Sequence, residues 1–151
     1  MSASLSLTVV RSLQRGPALN FKELQDLLNL SAKLAWKNPV PGTIILHLIG
    51  DRRMRTLNHK YRGQDRVTDV LSFAYWGEEF GDQVLGEVFL AMPQLKRQAT
   101  KFGNTLKQEL ELLFVHGLLH IYGYDHANER QLKIVEELQQ KILVSFRKRN
   151  Y

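Results

Sequence analysis

Three of the chain's five histidines lie close together, in His116-Gly117-Leu118-Leu119-His120-Ile121-Tyr122-Gly123-Tyr124-Asp125-His126. At 3.6 residues per turn, His116 and His120 stand one above the other on a single helical face, where two imidazoles can share one ion. Gly123 can take the left-handed conformation that ends a helix. The chain can then fold back and bring His126 to the same ion. Three protein ligands leave the fourth tetrahedral position open to water, as in catalytic rather than structural zinc sites. Reading the histidines as ordinary core residues would leave polar rings unpaired on an otherwise apolar helix, at about 1–3 kcal/mol per group. One zinc ion per chain and a metal-dependent hydrolase are therefore expected.

The spacing of the histidines resembles that of metzincin peptidases, where a glutamate directly after the first histidine is the general base. Here that position is Gly117. The metal is thus expected to be kept while the chemistry differs. The chain has no cysteine, which excludes disulfides, thiolate ligands and cysteine nucleophiles and suits a reducing, cytoplasmic setting.

The elements that must position these residues follow from hydrophobic periodicity. Leu5, Leu7 and Val9 alternate with polar residues, which predicts a strand rather than a targeting segment. Gly16-Pro17 marks a turn, and Asn20 with Glu23 suggests a capping box for an amphipathic helix ending near Pro39. Gly42 to Ile49 reads as a buried strand. Asp51 is expected to cap a short helix with Met54, Leu57 and Tyr61 facing inward. Val70–Ala74 and Gly86–Leu90 are further strands, separated by an acidic loop over 78–82. Pro93 suits the first turn of the next helix.

Thr105 and Gln108 form a second capping box, opening a helix to about Tyr122 that is apolar on most sides and therefore buried. A last helix spans Asn128 to Arg147, with Leu132, Val135, Leu138, Ile142 and Phe146 inward. The expected fold is a single α+β domain over 1–151, with α/β as the neighbouring alternative. It is zincin-like: a small mixed sheet of about four strands covered by helices, the metal site on a central buried helix.

A formal charge of +6 and a pI near 9.7 favour encounters with polyanions. The charge is concentrated. Between Asp51 and Arg66 six basic residues (Arg52, Arg53, Arg55, Lys60, Arg62 and Arg66) face only two acids. No apolar run approaches the length of a membrane span, so no membrane partner is expected.

With these features in view, the sequence resembles the YbeY family of bacterial metal-dependent endoribonucleases. The matching blocks are Leu57-Asn58-His59-Lys60-Tyr61-Arg62-Gly63, Thr68-Asp69-Val70-Leu71-Ser72-Phe73, Leu85-Gly86-Glu87-Val88 and His116 through His126. The resemblance implies zinc held by His116, His120 and His126, catalytic roles for Arg62 and His116, and single-strand-preferring hydrolysis of RNA. It further implies rRNA precursors and ribosomal subunits as partners, in rRNA maturation and ribosome quality control. Arg52, Arg53, Arg55, Lys60 and Arg66 would then hold the RNA backbone. A guanidinium at Arg62 could grip a phosphodiester; composition alone would make it a solvated helix-end charge.

The chain departs from the family pattern at Val67 and Ala74, where proline is usual, and at Glu87, where aspartate is more common. Asp125 could orient a histidine or cap the last helix. Thr68 and Asp69 either structure the entry to a strand or line the cleft. His47 and His59 are assigned to surface or core, and Trp36 and Trp76 to packing, although Tyr75-Trp76 beside a cleft could stack on bases. Two rival readings remain: a zinc-dependent amide or peptide hydrolase, and a non-catalytic ribosome-associated RNA-binding protein.

Overall fold

A computed structural model describes residues 4–12, 18–77 and 83–151. The turn expected at Gly16-Pro17 and the loop expected over 78–82 lie outside the described residues. The alternation at the start of the chain forms β1 (Leu5–Arg11), and the amphipathic segment after it forms α1 (Phe21–Ala35). Then follow β2 (Gly42–Ile49), α2 (Asp51–Arg62), β3 (Val70–Ala74), β4 (Val84–Ala91) and α3 (Met92–Phe102). The chain ends with α4 (Leu106–Ile121) and α5 (Glu129–Asn150). Among the described residues no helix is long and apolar enough to cross a membrane.

The sheet order is β1-β2-β4-β3. The first three strands in that order are parallel and β3 is antiparallel to β4, so β3 is an edge strand. Alternation divides the side chains between two faces. Leu7, Ile44, Leu46, Leu48, Val88 and Leu90 join the main core with α1, α4 and α5. Ile49, Leu71, Phe89 and Ala91 face the other way and are covered by Met54 and Leu57 of α2. The mixed, helix-covered sheet agrees with the expected class.

Several local readings need correction. Asn20 accepts from the Glu23 N–H at 3.1 Å, but the Glu23 carboxylate pairs with Lys107 at 2.9 Å instead of closing a capping box. Gly50, not Asp51, is the N-cap of α2; Asp51 is the first helical residue and binds Arg97 at 3.0 Å. Tyr61 and Leu132, both expected inside, are exposed. Tyr61 instead lays its ring edge-on to Phe73. The Thr105–Gln108 capping box forms in both directions.

α4 is buried among the other elements, and two glycines set how closely it lies on the sheet. A Cβ at Gly117 would stand 2.8 Å from a Val88 methyl. One at Gly86 would stand 2.7 Å from the Phe73 carbonyl oxygen and 2.8 Å from the Ile121 side chain. Alanine at Gly86 should cost about 1–3 kcal/mol, since a backbone oxygen cannot step aside. Alanine at Gly117 should cost less, because its better helix propensity returns about 1 kcal/mol. Thermal or urea unfolding should therefore rank wild type above Gly117→Ala and both above Gly86→Ala; unchanged stability of Gly86→Ala would contradict the packing.

Candidate metal centre

His116 and His120 project from the last turns of α4, which ends at Ile121. The reversal expected at Gly123 occurs there, with φ of +105°. Its N–H donates to His120 O at 3.1 Å, and the Tyr124 N–H donates to Leu119 O at 3.0 Å. Side chains pin the turn from both sides. The Tyr122 hydroxyl bonds Ser31 Oγ at 2.7 Å, and the Tyr124 hydroxyl donates to Ala35 O at 2.6 Å. Asp125 Oδ1 accepts from the His126 N–H at 2.7 Å, which fixes the backbone that carries the third histidine. Asn128, not Asp125, caps α5. The chain thus comes back on itself within a few residues.

The result is a cluster able to hold a metal ion: one ring nitrogen from each of His116, His120 and His126, all within 4.8 Å of one another. His120 Nε2 and His126 Nδ1 face each other at 3.0 Å. Bonds of about 2.0–2.1 Å in a tetrahedral site put ligand nitrogens about 3.3 Å apart, so this edge of the cluster is close to that size. The donor set is all nitrogen, and it fits the ion that the sequence called for. His116 Nδ1 donates to Gln139 Oε1 of α5 at 2.5 Å, which directs the lone pair of its other nitrogen outward to the cluster.

Burial pushes the His120 pKa down from 6.5 to about 4, with the nearby His116 and His126 acting in the same direction. Asp125 opposes the shift, and Arg62 adds to it slightly. His120 is therefore neutral at physiological pH, the state in which imidazole binds metal. The Arg62 charge is felt at His120 although Arg62 belongs to α2. Exposed at the end of that helix, Arg62 has no side-chain partner among the described residues.

The other basic residues differ in their local partners. Arg55 makes a two-point contact with Asp65, and Arg66 binds Gln64. Arg53 donates to Ser12 Oγ and sits over the Phe89 ring, on the α2 face of the sheet. Arg52 and Lys60 are exposed, with Lys60 over the Tyr61 ring. Asp69 structures the entry to β3, accepting from the Val70 N–H at 2.8 Å and from Gln98 at 3.3 Å. His59 is exposed. His47 pairs with the Glu87 carboxylate, which also accepts from the Tyr75 hydroxyl, and stacks on Phe89 at 4.2 Å.

Sequence reasoning missed Gln139. A signal was present, because Gln139 interrupts the inward stripe formed by Val135, Ile142 and Phe146. A polar residue on such a stripe needs a polar partner.

A helical pair of histidines and a third beyond a glycine turn, set against a mixed sheet, define an α+β protein built around a metal-binding helix. Comparison with known proteins narrows this. The family model described as "Endoribonuclease YbeY" matches residues 17–147. The Endoribonuclease YbeY of Thermodesulfovibrio yellowstonii is 40% identical over 114 residues, covering 74% of this chain and 72% of that protein. That of Geobacillus thermodenitrificans is 34% identical over 136 residues, covering 83% and 87%. The solution structure of TM1509 from Thermotoga maritima superposes with a TM-score of 0.59 at 25% identity, covering 95% of this chain and 93% of that one. The chain belongs to the Endoribonuclease YbeY family.

The His120 shift has a sign that can be tested on metal-free protein. The folded state disfavours the proton that the unfolded chain binds at pH 6.5, so stability is full above that pH. It is lost as pH falls from 6.5 through about 4. Thermal unfolding across this window should show the loss, and His120→Gln should reduce it. Equal pH dependence in both proteins would contradict the assignment.

Proposed function

We propose that the protein is a zinc-dependent, single-strand-preferring endoribonuclease that hydrolyses RNA phosphodiester bonds. It acts as one domain over 1–151 in the cytoplasm, on rRNA precursors and ribosomal subunits, in rRNA maturation and ribosome quality control. The single observation that carries this reading is the convergence of three imidazole nitrogens within 4.8 Å of one another, with the Arg62 charge felt at His120. Membership of the family supports the RNA substrate. Zinc is favoured because three imidazoles without carboxylate or thiolate form a set that this ion accepts with one position left open.

When bound, zinc would supply a Lewis acid beside the scissile phosphate. The protein's own residues do the rest. His116, His120 and His126 hold the ion, and Gln139 keeps His116 in the tautomer that ligation requires. Arg62 grips a non-bridging phosphate oxygen and neutralises charge that develops in the transition state. Arg52 and Lys60 carry the flanking backbone, with smaller shares for Arg53, Arg55 and Arg66, whose side chains already have protein partners.

The peptidase alternative is disfavoured by the direction of position 117. A Cβ at the position that would carry a metzincin base would meet Val88 and Val70 of the sheet. A glutamate there would meet the sheet instead of a substrate.

Chelation should abolish RNA cleavage and one equivalent of zinc per chain should restore it. His120→Ala should lose both metal and activity. Arg62→Ala should keep metal and fold while cleavage falls about 10²–10³-fold, and Arg62→Lys should recover only part of that loss. Cleavage by Arg62→Ala at the parent's rate on saturating RNA would remove Arg62 from the chemistry. Absence of cleavage by the zinc-loaded parent would leave the non-catalytic RNA-binding reading. Neutralising Arg52 or Lys60 should chiefly weaken binding and flatten its salt dependence.

A further inference from the structure

The turn that brings His126 back to the metal centre has a second side. There the chain leaving α1, the residues after β3, and Gly123 with Tyr124 enclose a cleft of about 290 Å³. Trp36, Trp76 and Tyr124 supply its aromatic surface, and Lys37 and Asn38 stand at its rim. A Cβ at Gly123 would meet nothing within 4 Å, so that wall faces open space.

The aromatic wall is built in advance. Trp36 stacks on Tyr122 with centroids 4.8 Å apart and an interplanar angle of 17°, and its centroid lies 5.6 Å from that of Trp76. The Trp76 indole N–H donates to Ile121 O at 2.5 Å, which ties that ring to the end of the helix carrying His116 and His120. The Tyr124 hydroxyl is fixed on Ala35. Trp76 and Tyr124 nevertheless keep part of their surface open. Lys37 and Asn38 are exposed and have no side-chain partner among the described residues.

This combination selects a ligand class. Fixed rings with accessible surface bind planar heterocycles, and unpaired RNA bases are recognised by stacking on aromatic side chains. The free ammonium of Lys37 suits a phosphate attached to such a base, and Asn38 can both donate to and accept from a base edge. A simple anion would not need the rings, and a purely apolar ligand would not need the rim. The cleft shares its Gly123–Tyr124 wall with the turn that positions His126.

We propose that this cleft is a base-binding subsite taking one unpaired nucleotide of the RNA, next to the phosphodiester that is cut. The proposal rests on the endoribonuclease reading above for the identity of the strand, and it can be tested apart from cleavage.

Trp36 and Trp76 are the chain's two tryptophans, so intrinsic fluorescence reports on the cleft directly. Uridine and adenosine 5′-monophosphates, titrated into metal-loaded protein, should quench it saturably. Ribose 5-phosphate and inorganic phosphate, which lack a base, should not. Lys37→Glu, an exposed change that leaves packing alone, should weaken the nucleotide binding about tenfold. The same variant and Trp76→Ala should raise the KM for RNA about tenfold at full metal content, and Trp76→Phe should recover most of it. Cleavage of RNA by the parent with no base-dependent quenching, or with KM unmoved in Lys37→Glu, would overturn the subsite. Base-dependent quenching by a parent that cleaves no RNA would instead overturn the nuclease reading and leave the base site standing.

Discussion

The close approach of α4 to the sheet at Gly117 and Gly86 is the constraint from which the metal centre follows. With Gly117 turned onto Val88, helical geometry fixes where its neighbours go. At about 100° per residue, His120 and His116 point roughly 60° and 100° away from the glycine, both to the same side. Phe114 and Leu118 take the opposite side and enter the core. One packing choice thus separates the face that stabilises the protein from the face that can hold an ion. It also explains how the metzincin-like spacing can persist without the metzincin base: position 117 is committed to packing.

Electrostatics at the centre suit an anionic substrate. Partial burial and mutual repulsion keep His120 neutral. The group supporting His116 is the uncharged amide of Gln139, and not a carboxylate. A neutral acceptor orients the ring without adding negative charge to the site, so a bound cation would stay electrophilic. Asp125, the acid felt at His120, spends one carboxylate oxygen on the His126 backbone. Arg62 adds positive charge from the other face of the sheet through the end of α2. A phosphodiester would meet little repulsion there.

Local signals made the histidine cluster and most of the fold legible in the sequence. The His116/His120 spacing and the Gly123 turn are contained in a few residues, as are the Thr105–Gln108 cap and the alternations of β1 and β2. What failed depended on partners distant in sequence. Glu23 was drawn from its capping box by Lys107, and Asp51 is engaged by Arg97 of α3. Tyr61 stays exposed and meets Phe73 edge-on, a contact across elements that local periodicity does not encode. Gln139 acquires meaning only when α5 is laid beside α4. Within the basic segment over 52–66, Asp65 engages Arg55 and Gln64 engages Arg66, pairings that composition does not reveal.

In the proposed site one zinc ion is held by three imidazoles, with a position left for substrate or water. X-ray absorption at the zinc edge, on protein loaded with one equivalent, tests it most directly. Three imidazole nitrogens and one further light atom are expected, all at about 2.0–2.1 Å. Loss of an imidazole should follow replacement of any one of His116, His120 or His126. A site with fewer than three imidazoles in the parent protein, or one that His126→Ala leaves unchanged, would contradict it.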